Sequence, residues 1–227
     1  GMLLGGILFY FQGSEIFPNL EQTPVWKMLL VMTVGFTLLP VPVSLDVRGW
    51  SEMHPLNGPA WSLFFEYVAN ILYAVLIRKF TSRWLAVLVF LAGCALIHQC
   101  YTQGNNIGGW TLDAEQCRVG LTRLMFPFFG GLLLFRLCKP GRLRHGFWWC
   151  SLLLAGALAA PHVGGAENFR LNGLYDAFCI IVIFPAVVFL GASDIPGDIS
   201  SRASRFLGNI SYPLYICLLY TSPSPRD

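Results

Sequence analysis

Long apolar runs dominate this chain and constrain its fold more than any other feature. Seven runs are bounded by charged residues, Pro or Gly, and an eighth run at the start is shorter. Only 12% of the 227 residues are charged, and the mean hydropathy of +0.59 exceeds that of soluble globular domains. These runs predict an all-α transmembrane bundle of about 7–8 membrane segments. The segments are residues 1–11, 25–43, 61–77, 84–98, 122–138, 147–160, 174–191 and 206–220.

The first run is too short to cross a bilayer. Its eleven residues would form a helix of about 17 Å, against a hydrocarbon core of about 30 Å. Neither a basic segment before it nor a small-residue cleavage site after it indicates a signal peptide. We therefore expect the chain to begin inside a helix that starts upstream. We assign residues 1–218 to one partial membrane domain and interpret the polar, Pro-rich residues 219–227 as a non-native or disordered tail.

Basic residues are concentrated in alternate loops between the runs. The positive-inside rule places these loops in the cytoplasm and supports crossings at five consecutive segments. Pro40 and Pro42 leave the topology before Asn57 open, because a broken helix there would reverse it. The loop residues are Arg78, Lys79 and Arg83, then Arg136, Lys139, Arg142 and Arg144, and finally Arg202 and Arg205.

An ionisable residue, Glu66, lies inside the run at residues 61–77. A charged side chain at membrane depth costs about 3 kcal/mol unless it faces a cavity or a partner. Four polar residues recur here at spacings of four, four and three, which places them on one helix face. The face predicts a hydrated pocket for a polyhydroxylated or phosphorylated ligand, or a proton path, with simple helix packing as the alternative. The four residues are Ser62, Glu66, Asn70 and Tyr73.

The residues just before this helix extend the candidate site. We expect Asn57 or Gly58 to cap the helix, with Pro59 in its first turn. His54 is close enough in sequence to reach the mouth of the pocket as a general base. An exposed loop imidazole is the alternative interpretation of His54.

Arg123 is the second charged residue near an apolar run. If it lies deep in the membrane, it requires an anion, either Glu66 or a substrate phosphate. If it lies at a helix end, its side chain reaches the lipid headgroups instead. The sequence leaves both positions open.

Several other chemistries are not indicated. The seven cysteines are scattered without a C-x-x-C pair, so we expect neither a metal site nor a disulfide framework. The net charge of +3 gives no reason to expect nucleic-acid binding. The sequence also lacks a G-x-x-x-x-G-K loop, a G-x-S-x-G elbow and an H-E-x-x-H helix. The residues alone therefore specify no reaction, and a proton-coupled transporter or a structural membrane subunit stays an alternative to an enzyme.

Three stretches together resemble the membrane acyltransferase family 3, the multipass bacterial O-acyltransferases. Residues 55–67 (PLNGPAWSLFFEY) are similar to the family signature of Trp-Ser-Leu followed three residues later by Glu. Residues 123–133 (RLMFPFFGGLL) and residues 206–216 (FLGNISYPLYI) follow in the expected order. The likeness extends over about residues 1–216, although a His that is usual in the family near Leu218 is missing.

The resemblance implies transfer of an acyl group, often acetyl, from acyl-CoA to a hydroxyl of a cell-surface or exported glycan. It implies a multi-pass protein of the bacterial inner (plasma) membrane, with no bound cofactor and with acyl-CoA as the acyl donor. The implied partners are the lipid bilayer and a glycan or lipid-linked sugar acceptor. The family's catalytic His would lie upstream of residue 1, so no residue of this chain receives that role.

The resemblance also suggests roles for individual residues. Ser62 and Glu66 would orient the acceptor hydroxyl or the upstream base, and Trp61 would pack beside them. Arg123 would bind an anionic group of CoA or of the substrate. The candidate pocket or substrate-binding residues are His54, Asn57, Trp61, Ser62, Glu66, Asn70, Tyr73, Arg123, Ser211 and Tyr212.

Overall fold

The computed structural model describes residues 2–12, 20, 22–161, 166–195 and 197–221. These residues are mostly helical, as predicted, and every predicted apolar run falls on a helix. The helices are α1 (Met2–Gln12), α2 (Val25–Phe36), α3 (Ala60–Val75), α4 (Ser82–Gln103), α5 (Ala114–Leu137), α6 (Gly146–Ala159), α7 (Phe169–Phe178), α8 (Phe184–Ala192) and α9 (Asp198–Thr221). Two short strands, β1 (Leu143–Arg144) and β2 (Asp194–Ile195), pair in parallel.

Three helical segments of the described chain are long and apolar enough to cross a membrane. They are α4, α5 and the continuous helix Phe169–Ala192, in which a π turn at Cys179–Ile183 joins α7 to α8. The π turn precedes Pro185, which has no N–H to donate to the preceding turn. Helices α2, α3 and α6 are apolar but only 12, 16 and 14 residues long. The remaining crossings of the predicted 7–8 stay predictions.

Several predicted boundaries differ from the observed helices, and two of them have a clear local reason. Helix α2 ends at Phe36, well before residue 43, because Leu38 adopts a left-handed backbone (φ 59°) and two prolines follow. Helix α5 begins at Ala114 instead of residue 122 because the Asp113 carboxylate accepts a hydrogen bond from the Gln116 N–H at 2.9 Å. At the other end of the chain, α9 continues to Thr221. Residues 222–227 of the predicted tail lie outside the described residues.

The chain divides into two compact units. Unit 1 comprises residues 1–68, 108–120 and 208–227, and unit 2 comprises residues 69–107 and 121–207. The core of unit 1 packs α2 against the segment before α3 and contains Leu20, Met28, Val31, Val47, Leu56 and Ala60. The cores of unit 2 pack α4 against α5 and α7 and contain Ala92, Leu96, Cys100, Phe126 and Ala177, and Ile77, Leu85 and Phe129.

Close backbone contact between α4 and α7 organises unit 2. A Cβ atom at Gly173 of α7 would overlap the backbone carbonyl of Cys100 in α4. Only glycine therefore permits this approach of the two helices. Helix α4 ends directly beyond the contact, where Gly104 takes a left-handed φ of 72° and its N–H donates to the Cys100 carbonyl at 2.8 Å.

This contact predicts that Gly173→Ala destabilises the protein although alanine favours helices. The added methyl must push α7 away from α4, and overpacking of this kind costs about 1–3 kcal/mol. We expect a lower temperature of thermal unfolding in non-ionic detergent. Gly131→Ala is the matched control, since a Cβ at Gly131 of α5 meets nothing within 4 Å. That control should be neutral or stabilising by up to about 1 kcal/mol, and equal unfolding temperatures for both variants would contradict the proposed contact.

Candidate functional site

Helix α3, which carries the predicted polar face, starts from a backbone turn. The Ala60 N–H donates to the Asn57 carbonyl at 2.9 Å, and the Trp61 N–H donates to the Gly58 carbonyl at 3.3 Å. The side-chain oxygen of Asn57 is buried and has no hydrogen-bond partner within the described chain. Of the two predicted caps, Asn57 or Gly58, the structure therefore contradicts a side-chain cap by Asn57. Backbone groups make the turn, and Pro59 lies just before the helix instead of in its first turn.

A cluster of two hydroxyls and one carbonyl anchors the first turn of α3. The Tyr215 hydroxyl of α9 donates to the Pro59 carbonyl at 3.0 Å and also contacts the Ser62 hydroxyl. The Ser62 hydroxyl lies 3.1 Å from the same carbonyl. The two hydroxyl groups have only two protons for the three contacts among Ser62, Tyr215 and the Pro59 carbonyl. Each hydroxyl oxygen can therefore still accept a hydrogen bond. This arrangement holds the Ser62 oxygen in a defined place while leaving it able to accept a further hydrogen bond.

The four residues of the predicted polar face all lie on α3, so their spacing places them on one side of this helix. Ser62 and Tyr73 are half-buried, whereas Glu66 and Asn70 are exposed. Tyr73 packs against the apolar core that contains Phe129. Inside a bilayer, an exposed carboxylate on such a helix must face an aqueous cavity or a polar partner. The pocket around Glu66 stays a prediction.

The third family-like stretch contributes a residue other than those predicted. Ser211 is exposed, and its hydroxyl donates to the Gly208 carbonyl of its own helix at 2.9 Å. The Tyr212 side chain lies outside the described residues. Tyr215 is the residue of this stretch that contacts α3. Tyr215 lies one helical turn beyond Ser211, and residues at this spacing share a helix face. The spacing could therefore have identified Tyr215.

The loop that leads into α3 is buried instead of lying on the surface. Residues 52–58 are all buried, although loops are normally exposed. Arg48 and Glu52 form an ion pair at 2.7 Å, with only 4% and 6% of their side-chain surfaces exposed. Asp46 organises the turn around this pair, because its carboxylate accepts the N–H groups of Arg48 at 2.9 Å and Ser51 at 2.6 Å. No motif or spacing in the sequence predicted this network.

His54 lies within the same buried loop with 2% of its surface exposed, so the alternative of an exposed imidazole is wrong. Its Nε2 lies 3.1 Å from the Leu38 carbonyl. A carbonyl only accepts hydrogen bonds, so Nε2 carries the proton and Nδ1 is the basic nitrogen. Nδ1 is buried and has no partner among the described residues. Burial lowers the pKa of His54 below its usual value, an effect that the Leu38 hydrogen bond partly offsets.

The segment before α5 holds the loop and α3 together. The Met53 N–H donates to the Trp110 carbonyl at 2.8 Å. Gly109, with a φ of 99°, leaves no room for a side chain beside the Trp61 ring and the backbone of Gly120. A Cβ at Gly120 would in turn overlap the Phe65 ring. The Trp61 ring in the first turn of α3 therefore lies close to Gly109, and its place beside a substrate pocket stays a prediction.

Arg123 belongs to unit 2, and Glu66 belongs to unit 1. It is half-buried in the first half of α5. Arg123 and Asp176 of α7 both lie within electrostatic range of the buried Cys100 side chain. Asp176 is a second carboxylate within a predicted membrane run, and the argument applied to Glu66 should have identified it. Asp176, which lies in the same unit as Arg123, is therefore a further candidate partner of Arg123.

The comparisons with known proteins give one match. The sequence family described as an acyltransferase domain matches residues 2–219, which is nearly the whole chain. The matched region includes all three stretches that carry the resemblance. No curated protein and no solved structure matches the chain.

The buried His54 predicts a specific pH dependence of stability. The folded protein keeps the imidazole neutral, whereas the unfolded chain takes up a proton below about pH 6.5. The free energy of unfolding should therefore fall as the pH drops from about 7.5 to 5.5, by at most about 1.4 kcal/mol per pH unit below the unfolded pKa of about 6.5, and level off below the folded pKa. In His54→Gln, which retains a donor for the Leu38 carbonyl, this component should disappear. Thermal unfolding in non-ionic detergent at both pH values measures it.

His98→Gln is the control for this experiment, because His98 is exposed on α4. It should retain the pH dependence of the wild type. The burial of His54 would be contradicted if His54→Gln lost stability with falling pH as steeply as the wild type and the control.

Proposed function

The chain belongs to the acyltransferase 3 family, and from this premise we propose that it transfers an acyl group from acyl-CoA to a hydroxyl of a glycan. The family match and the apolar helices identify it as a membrane protein. We propose further that it is a multi-pass protein of the bacterial inner membrane. In this proposal the acyl group is acetyl, and the acceptor is a cell-surface, exported or lipid-linked sugar. The resemblance of the three stretches supports these finer assignments.

One structural observation carries the proposal. The Ser62 and Tyr215 hydroxyls are in contact although 153 positions separate them in the chain. Ser62 belongs to the Trp-Ser-Leu stretch, and Tyr215 belongs to the last of the three family-like stretches. Two separate parts of the family resemblance therefore meet at one place, and Glu66 lies one helical turn further along α3.

The proposed reaction moves an acyl group from the sulfur of CoA to a hydroxyl oxygen of the acceptor. The acceptor hydroxyl oxygen attacks the thioester carbonyl carbon, the carbon–sulfur bond breaks, and a base transfers the hydroxyl proton to the leaving CoA thiolate. We assign Glu66 and Ser62 to binding of the acceptor hydroxyl. The carboxylate accepts a hydrogen bond from the hydroxyl and orients the oxygen for attack. We assign the base to no residue of this chain.

This assignment predicts that Glu66→Gln lowers acyl transfer by about 100-fold, because the amide is a weaker acceptor than the carboxylate. The assay follows radiolabelled acetyl groups from acetyl-CoA into glycan in membranes that contain the intact protein. Tyr215→Phe should lower the rate by about 10-fold, because Ser62 loses the hydroxyl that positions it. Membrane insertion and protein level should not change in either variant.

Both variants have matched controls. Glu115→Gln alters an exposed glutamate in the first turn of α5, and Tyr67→Phe alters an exposed tyrosine beside Glu66. Both controls should transfer acyl groups at the wild-type rate. If Glu66→Gln also did so, Glu66 would have only a packing role and the proposed site would be wrong.

A further inference from the structure

The two short strands join distant loops at one end of unit 2. Leu143 pairs with Asp194, and the Leu143 N–H donates to the Ser193 carbonyl at 2.8 Å. The Ser193 hydroxyl accepts the Gly141 N–H at 3.0 Å. These bonds fix the loop before α6 beside the turn that leads into α9. Both loops are among the basic ones that the charge pattern places in the cytoplasm.

A cleft of about 570 Å³ opens beside the strand pair, and we call it the clasp cleft. This volume lies in the range of small-molecule sites and is far larger than a single ion needs. On one side it is lined by Arg144, His145 and Trp148. On the other side are Ile195 and the first turn of α9, residues 197–200. The cleft therefore combines a guanidinium, an indole and the polar backbone of a helix start.

The charges around the clasp cleft favour an anion. Arg144 is exposed at the cleft. Of the two nearby acids, Asp194 is half-buried and accepts the Gly146 N–H at 2.7 Å, so one of its oxygens is occupied. Asp198 lines the cleft and partly offsets the positive charge. The nearby basic residues in sequence outnumber these acids: Lys139, Arg142 and Arg144 precede α6, whereas Arg202 and Arg205, which were predicted in a loop, lie in the first two turns of α9.

We propose that the clasp cleft binds a phosphate-bearing ligand. The Arg144 guanidinium has the planar pair of donors that matches two phosphate oxygens. Trp148, with 58% of its surface exposed, provides a flat apolar face for the rest of the same ligand. A soluble nucleotide and an anionic lipid headgroup share this chemistry. The proposal does not rest on the proposed acyl transfer, because binding alone tests it.

The test measures binding of two probes to the full chain in non-ionic detergent by calorimetry. Adenosine 3′,5′-bisphosphate represents the soluble source, and dioctanoyl phosphatidylglycerol represents the lipid, with dioctanoyl phosphatidylcholine for comparison. Arg144→Gln should weaken binding of at least one phosphate probe by about five-fold, because it removes the charged donor. Asp198→Asn should strengthen the same binding by about two- to five-fold, because it removes a negative charge from the cleft. The probe that responds identifies the source of the phosphate.

Arg83→Gln is the matched control. Arg83 is also an exposed arginine next to a tryptophan in the first turn of a helix and lines a cleft of about 700 Å³, but within the described chain no strand pair joins a second loop to it. This variant should bind both probes as the wild type does. Binding of neither probe, or equal loss in Arg83→Gln and Arg144→Gln, would overturn the proposal. If Arg144→Gln did not fold, stronger binding in Asp198→Asn would support the site and unchanged binding would refute it.

Discussion

The buried ion pair between Arg48 and Glu52 is the interaction on which the candidate site depends. Removing two charges from water is costly, and the cost is offset only when the pair has good geometry and further hydrogen bonds. Here the nitrogen and oxygen are 2.7 Å apart, and Asp46 binds two backbone N–H groups of the same turn. The loop from Asp46 to Pro59 therefore has a defined conformation, and α3 begins directly at its end.

Backbone satisfaction explains how this loop is tolerated in the interior. A buried loop must provide partners for its N–H and carbonyl groups. The Val41 N–H donates to the Met53 carbonyl at 2.9 Å, and the Met53 N–H donates to the Trp110 carbonyl. His54 binds the Leu38 carbonyl, which the left-handed backbone at the end of α2 presents to it. Through these bonds, the loop fixes the position of the first turns of α3, which carry Ser62 and Glu66.

The sequence predicted those features that depend on local patterns. Apolar runs located every helix, and the spacing of polar residues placed Ser62 and Glu66 on one face of α3. The burial of His54 and the contact of Ser62 with Tyr215 were not predictable in this way, because each depends on parts of the chain that are distant in sequence. Asp176 is a different case, because its signal was local and was overlooked.

The hydrogen bonds of the loop before α3 make it a rigid part of the candidate site. Hydrogen–deuterium exchange of the backbone amides in residues 46–57, measured on the protein in lipid nanodiscs, tests this rigidity. We expect the amides of Arg48, Ser51 and Met53 to exchange at least about 100-fold more slowly than in an unstructured peptide, because Asp46 accepts the first two and the Trp110 carbonyl accepts the third. Exchange of these amides at the rate of an open loop would show that the loop is not rigid.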